Sequence, residues 1–104
     1  MKESKKKRLE EKGWKVGGIR EFLGLSAEEE ALIELKLALS REVEVQRKAK
    51  GLTQAEVAQQ IGSSQSRVAK IEAGDPSVSV DLLLKTLLTL GAKKKDIGRK
   101  IAAA

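Results

Sequence analysis

Cysteine and histidine are absent from this 104-residue chain, and Trp14 and Phe22 are its only aromatic residues. Without thiols or imidazoles the chain offers no zinc-ligand set, no cysteine nucleophile and no serine–histidine pair, which excludes most routes to catalysis. The carboxylates, serines and lysines that remain form no recognisable catalytic spacing. We therefore expect a protein that is not an enzyme and that holds no metal or cofactor.

Long apolar segments are also absent. No apolar run approaches the ~20 residues that a membrane helix needs, and lysines follow Met1 where a signal peptide would have an apolar stretch. We therefore expect a cytoplasmic protein that does not engage a membrane. At 104 residues the chain is long enough for one modest core, and that core must be built from Leu, Ile, Val and Ala.

Residues 53–74 carry the pattern of two short helices joined by a tight turn. Thr53 and Glu56 form a capping box, in which each side chain accepts a hydrogen bond from the backbone of the other residue, so a helix begins at Thr53. Gly62 suits the end of that helix, because glycine readily adopts the left-handed conformation found there. Ser63 and Ser64 supply the cap of the second helix.

The second helix of this motif has a polar outer face. Its apolar residues, Val68 and Ile71, are spaced to face inward, which leaves outside Gln65, Ser66, Arg67 and Lys70. A glutamine can pair bidentately with adenine, an arginine or lysine can pair with guanine, and a serine can pair with either. The pattern therefore indicates a DNA recognition helix. The alternative is a generic bundle with two solvated helices whose polar residues serve only as caps.

This arrangement resembles the helix-turn-helix domains of the XRE family, which includes Cro and the lambdoid phage repressors, over about residues 47–91. Ala58 and Gly62 match the family pattern, whereas Ser63 stands where many relatives have an apolar residue. The resemblance implies that the first motif helix contacts phosphate and that the start of the second enters the major groove. The DNA-binding residues that it implies are Gln54, Ser64, Gln65, Ser66, Arg67 and Lys70.

The same resemblance implies a structural ion pair. In XRE domains a partly buried arginine and glutamate clamp the first helix to the third, and Arg47 and Glu72 occupy the matching positions. We therefore expect these two side chains to contact each other.

The net charge of +6 is concentrated at the two ends of the chain. Residues 1–13 contain six basic and three acidic side chains, and residues 92–104 contain five and one, whereas residues 51–91 contain three and four. Long-range attraction to phosphate should therefore come mainly from the ends. The alternative for the N-terminal run is a solvated tail with no binding role.

A helical pattern precedes the motif. Ser26 and Glu29 form a capping box that opens a helix expected to run to about Lys50. The apolar face of this helix, which includes Leu32 and Ile33, is wider than packing within one small bundle needs. We interpret the surplus as a surface for a partner.

Another helical pattern follows the motif, where Ser79 can cap a fourth helix. Leu82 and Leu88 point away from its core stripe, and in repressor-like domains this helix and the segment after it commonly form a two-fold contact. A homodimer is the natural inference, because two recognition helices related by two-fold symmetry can enter successive major grooves of a palindromic site. The alternative is that the two leucines are core residues covered by Ile97 and Ile101 of a last short helix.

The first 25 residues exceed a minimal helix-turn-helix domain. Trp14 and Val16 alternate like a short strand. Residues 14–39 resemble the N-terminal extension of HigA-type antitoxins, a branch of the XRE family that partners a small RelE-like ribonuclease toxin. Aromatic side chains are enriched at interface hot spots, so we expect Trp14 and Phe22 to bind the toxin. The alternative is that both rings fold back onto the core.

We thus predict an all-α, five-helix, repressor-like DNA-binding domain at residues 26–104, with the helix-turn-helix at 53–74. A basic tail and extension precede it at residues 1–25, with room for a short strand. The expected function is that of a dimeric repressor of an operator in double-stranded DNA. We further expect the antitoxin of a type II toxin–antitoxin pair, which neutralises a RelE-like toxin and autoregulates its operon.

A free-standing XRE-type transcriptional regulator with no toxin partner is the main alternative to this function. A small RNA-binding helical protein with basic tails also fits the charge, but it leaves the residues from Gln65 to Lys70 without a purpose.

Overall fold

The computed structural model describes residues 24–104, which form five α-helices and no β-strand. The helices are α1 (Ala27–Ala49), α2 (Gln54–Ile61), α3 (Gln65–Ala73), α4 (Val80–Thr89) and α5 (Lys94–Ala103). The prediction of an all-α, five-helix fold with a helix-turn-helix is confirmed for this part of the chain. The strand expected around Trp14 and Val16 lies outside the described residues.

Short-range side-chain caps set the helix starts. The Thr53 hydroxyl accepts from the backbone N–H of Glu56 at 3.1 Å, and the Glu56 carboxylate accepts from the backbone N–H of Thr53 at 3.0 Å. Ser26 and Glu29 form the same reciprocal pair at the start of α1. Ser64, rather than Ser63, caps α3. Each cap satisfies a backbone N–H that has no partner within its own helix.

Glycine in the left-handed conformation ends both helices of the motif. Gly62 follows α2 with φ of +67°, and Gly74 follows α3 with φ of +74°. A Cβ atom at Gly74 would lie 2.7 Å from Cδ2 of Leu37 in α1, whereas a Cβ at Gly62 would meet no atom within 4 Å. The end of α3 is therefore fixed both by its backbone conformation and by close packing against α1.

One aliphatic core joins the described helices from Leu35 onward. Its buried members are Leu39, Val43, Val57, Ala58, Val68, Ile71, Val78, Leu83, Leu87, Leu90 and Ile97. Every helix contributes at least one of these side chains, so α2 and α3 are held in place by the rest of the bundle. None of the described helices is long and apolar enough to cross a membrane.

The two leucines that were expected to point away from the core of α4 differ in the structure. Leu82 is partly buried and packs against the core, so the outward placement is wrong for it. Leu88 is 48% exposed, as expected. Ile97 of α5 is buried, and Lys100 of α5 lies 3.3 Å from the carboxylate of Glu42 in α1. Helix α5 therefore closes the core on one side of α4 and leaves Leu88 open.

Candidate nucleic-acid interface

Helices α2 and α3 pack closely across the turn between them. Val57 and Ala58 of α2 and Val68 and Ile71 of α3 are buried together, and the small side chain of Ala58 permits a close approach of the two helices. The turn is closed by the backbone, since the N–H of Ser63 donates to the carbonyl of Ala58 at 2.8 Å. Ser63 is exposed, so its hydroxyl is solvated and does not replace a buried apolar contact in the turn.

The outer face of α3 is polar and free of exposed carboxylates. It presents Gln65, Ser66, Arg67 and Lys70, all of them exposed. The one acidic residue of the helix, Glu72, keeps its side chain 3% exposed and directs it inward. The surface that α3 offers is therefore composed of amide, hydroxyl and cationic groups, which complement the electronegative edges and backbone of DNA.

Ser64 plays mainly a structural part at the start of α3. Its hydroxyl oxygen accepts from the backbone N–H of Arg67 at 3.2 Å and lies 3.2 Å from the hydroxyl oxygen of Ser66. The cap fixes the first turn of α3, from which Gln65 and Ser66 project. Ser64 is exposed, so its position is open to a ligand on the same side as those two residues.

Gln54, the first residue of α2, is partly buried and connects to α3 at two points. Its Oε1 accepts from Nε2 of Gln65 at 2.7 Å, and its own Nε2 donates to Oε1 of Glu72 at 3.2 Å. Two of the DNA-binding residues expected from the sequence, Gln54 and Gln65, are thus joined directly. These two bonds use the Oε1 of Gln54 and one of its two amide N–H groups.

The structure brings Arg47 of α1 and Glu72 of α3 together as a bidentate ion pair. Nε of Arg47 lies 2.6 Å from Oε2 of Glu72, and Nη2 donates to Oε1 at 3.0 Å. A third nitrogen of the guanidinium, Nη1, donates to the carbonyl of Leu52 at 2.9 Å. Donation of a hydrogen bond to the Glu72 carboxylate raises the pKa of Arg47 above its ordinary value. This pair ties the recognition helix to α1 and to the segment that leads into α2.

A continuous path of hydrogen bonds therefore runs from Arg47 through Glu72 and Gln54 to Gln65. No pattern in the sequence indicates this connection. Gln54 is 11 residues from Gln65 and 18 residues from Glu72, and the turn at Gly62 separates them, so no continuous helical periodicity relates these positions. Only the crossing of α2 over α3 brings the three side chains together.

Basic side chains also lie at the start of α5. Lys93, Lys94 and Lys95 are exposed, and Lys93 caps the helix without a side-chain hydrogen bond. The positive end of the helix dipole adds to their charge, so this end of α5 attracts anions. Trp14 and Phe22, which were expected to bind a partner, lie outside the described residues.

Comparison with known families bears on the motif as a whole. A family model described as Helix-turn-helix matches residues 44–95, which is half of the chain. Searches among curated proteins and among solved structures give no match. The matched segment contains α2, α3 and α4 together with the Arg47–Glu72 pair, and the HigA-type branch stays a prediction. On this match and this geometry, the chain belongs to the XRE-type helix-turn-helix family of DNA-binding regulators.

Proposed function

We propose that the protein is a transcriptional repressor that reads a palindromic operator in double-stranded DNA. The observation that carries the proposal is the outer face of α3, where Gln65, Ser66, Arg67 and Lys70 are exposed and no carboxylate competes with them. Side chains of these types recognise base edges in the major groove, which is wide enough to admit a helix. A helix that served only the core would not need this combination.

The distribution of charge along the chain indicates that different residues read the bases and attract the phosphates. Residues 51–91 contain three basic and four acidic side chains, so the motif is not itself a basic patch. Three of those acids are engaged within the protein, since Glu72 pairs with Arg47, Asp75 accepts from Ser77 and Glu56 accepts from the backbone of Thr53. The bonds from Ser77 hold the pKa of Asp75 below its ordinary value. We infer that α3 supplies specificity, while the lysines at both ends supply attraction that does not depend on sequence.

We also propose that the protein binds its operator as a homodimer. Helix α4 carries an exposed groove lined by Asp81, Leu84, Lys85, Leu88 and Thr89. These positions repeat every three to four residues, so they share one face of the helix. The face suits a contact with a second copy, because it combines leucines with an aspartate and a lysine, and in an isologous contact the aspartate of one copy can pair with the lysine of the other. A palindromic operator presents two half-sites about 34 Å apart, and a two-fold dimer supplies one recognition helix to each.

The proposed role as an antitoxin has its support in α1 and in the N-terminal extension. Leu32 and Ile33, near the start of α1, are 47% and 43% exposed. Two adjacent apolar side chains held open in this way are typical of a protein-binding surface when they lie within a larger patch. Trp14 and Phe22, the aromatic residues that the sequence predicts as partner-binding, lie outside the described residues. The toxin would be a RelE-like ribonuclease, and repression of the shared operon would follow from the DNA-binding surface.

The DNA-binding proposal is tested by selection from a randomised pool of double-stranded DNA, followed by titration of the selected site. We expect a two-fold symmetric consensus that the parent protein binds at least about a thousandfold more tightly than random DNA at the same salt concentration. Binding without any consensus, or stronger binding to single-stranded RNA, would contradict the proposal.

The antitoxin proposal is tested separately, by coexpression with the product of the reading frame beside the gene. Replacing Leu32 and Ile33 with glutamate should abolish the relief of growth arrest and leave operator binding intact, because neither residue belongs to the motif. Val45→Glu, at another exposed apolar position of α1, is the matched control. If the double variant neutralises fully, or if no neighbouring toxin exists, the free-standing regulator becomes the better account.

A further inference from the structure

The hydrogen bonds around Gln54 have a fixed direction. We infer that Glu72, whose side chain is buried and does not reach the outer face of α3, determines which hydrogen-bonding groups Gln65 presents to a base. Gln54 transmits this effect. The inference rests on the proposed function, in which Gln65 reads a base, and it assigns to Glu72 the part of a positioning residue for specificity.

The direction follows from the chemistry of the carboxylate. An ionised carboxylate can only accept hydrogen bonds, whereas an amide has one end that donates and one that accepts. Oε1 of Glu72 receives Nη2 of Arg47 at 3.0 Å and Nε2 of Gln54 at 3.2 Å. Gln54 must therefore turn its NH2 group inward and its carbonyl oxygen outward. A reversed amide would set two oxygens against each other.

The same constraint passes on to Gln65. The outward oxygen of Gln54 is an acceptor, so Gln65 must approach it with its own NH2 group, which it does at 2.7 Å. One of the two N–H groups of Gln65 is thereby occupied. Its Oε1 and its second N–H remain for DNA, so the side chain offers one acceptor and one donor.

Burial holds the Glu72 carboxylate, which sets the orientation of the Gln54 amide, in one position. The Glu72 side chain is 3% exposed, and two nitrogens of Arg47 hold both of its oxygens. Arg47 is fixed in turn by the carbonyl of Leu52. Water therefore has little access to reorient the carboxylate, and the arrangement exists before DNA binds. Preorganisation of this kind removes the cost of ordering Gln65 on binding.

The polarity has a consequence for base choice. Adenine shows a donor at N6 and an acceptor at N7 in the major groove, which matches the acceptor and the donor that Gln65 has left. Guanine shows two acceptors, N7 and O6, and to meet both Gln65 would have to donate twice and break its bond to Gln54. The path from Glu72 thus disfavours guanine at the position that Gln65 reads.

The test measures the ratio of affinities for adenine and guanine at the operator position where Gln65→Ala removes the base preference. For the parent we expect adenine to be favoured by about fivefold to about 150-fold, the range of one bidentate contact. Gln54→Met keeps the approximate length of the side chain and the Arg47–Glu72 pair, but it cannot relay a hydrogen bond. The ratio should fall below about threefold. If Gln54→Met only lost a contact to phosphate, binding to the adenine and guanine operators would weaken equally and the ratio of their affinities would not change.

Two further variants complete the design. Gln60→Met makes the same change at an exposed glutamine of α2 and should keep the parental ratio. Glu72→Gln preserves shape but lets residue 72 donate as well as accept, so the ratio should fall in this variant if a thermal melt shows that it is folded. If it is not folded, Gln54→Met decides.

The possible failures are distinguishable. If the parent selects no sequence, or if Gln65→Ala alters no base preference, the proposed function fails and the inference fails with it. Only the inference is overturned if the parent prefers guanine at that position, or if Gln54→Met or folded Glu72→Gln keeps the adenine-to-guanine ratio within about twofold of the parent.

Discussion

Removing either member of the Arg47–Glu72 pair should destabilise the protein, and the two losses should be unequal. Arg47→Ala leaves the Glu72 carboxylate in a site where its side chain is 3% exposed, with Gln54 as its remaining donor. Glu72→Ala leaves an arginine that is 14% exposed and still donates to the carbonyl of Leu52. Because water reaches the stranded guanidinium more easily than the stranded carboxylate, Arg47→Ala should cost more.

The expected magnitudes follow from burial. Stranding a buried charge costs about 3 to 5 kcal/mol, which we expect for Arg47→Ala. For Glu72→Ala we expect about 1 to 3 kcal/mol, the cost of a polar group that loses part of its hydrogen bonding. Against a total stability on the order of 5 to 15 kcal/mol for a domain of this class, both losses are large.

Urea unfolding followed by far-UV circular dichroism measures these losses. The double variant Arg47→Ala/Glu72→Ala removes both charges, so it should lose less than the sum of the single variants. Each kcal/mol should also lower Tm by about 4 to 8 °C, which a thermal melt records. Unchanged stability in both single variants, or strict additivity in the double variant, would refute the proposed clamp.

Three further outcomes are expected. Gly74→Ala should lose more stability than Gly62→Ala in the same urea assay. Both variants force a side chain into the left-handed region, which costs about 1 to 2 kcal/mol, but only Gly74→Ala must also displace Leu37. Equal losses would contradict this. Replacing the lysines at 93–95 with glutamine should weaken binding to operator and random DNA alike. It should also reduce the slope of log affinity against log salt concentration by up to about 2.7. An unchanged slope would mean that these lysines do not contact DNA. Leu88→Glu should give a monomer in sedimentation and weaken operator binding, and a persistent dimer would exclude the α4 face.

The local features of the fold could be predicted from the sequence because their causes are local. Thr53 and Glu56 stand three residues apart, and their mutual caps depend on no other part of the chain. Gly62 and Gly74 end their helices for equally local reasons. The polar face of α3 was also predictable, since Val68 and Ile71 determine which side is buried.

The remaining features depend on how helices cross. Leu82 was expected outside the core, but its position relative to the other helices is not encoded in the periodicity of α4 alone. The path from Glu72 through Gln54 to Gln65 is of the same kind, because it requires α2 and α3 to meet at one angle. The sequence therefore predicts Gln54 and Gln65 as DNA-binding residues, but it carries no sign that the two side chains contact each other.

The most direct measurement of the central claim compares Gln65→Ala with the parent protein on two DNA duplexes, the selected operator and a random sequence of equal length, at one fixed salt concentration. The account predicts a loss of about 1 to 3 kcal/mol on the operator and almost none on random DNA, because a bidentate amide contact discriminates between bases and adds little elsewhere. If Gln65→Ala binds the operator as tightly as the parent, α3 does not read DNA through this face.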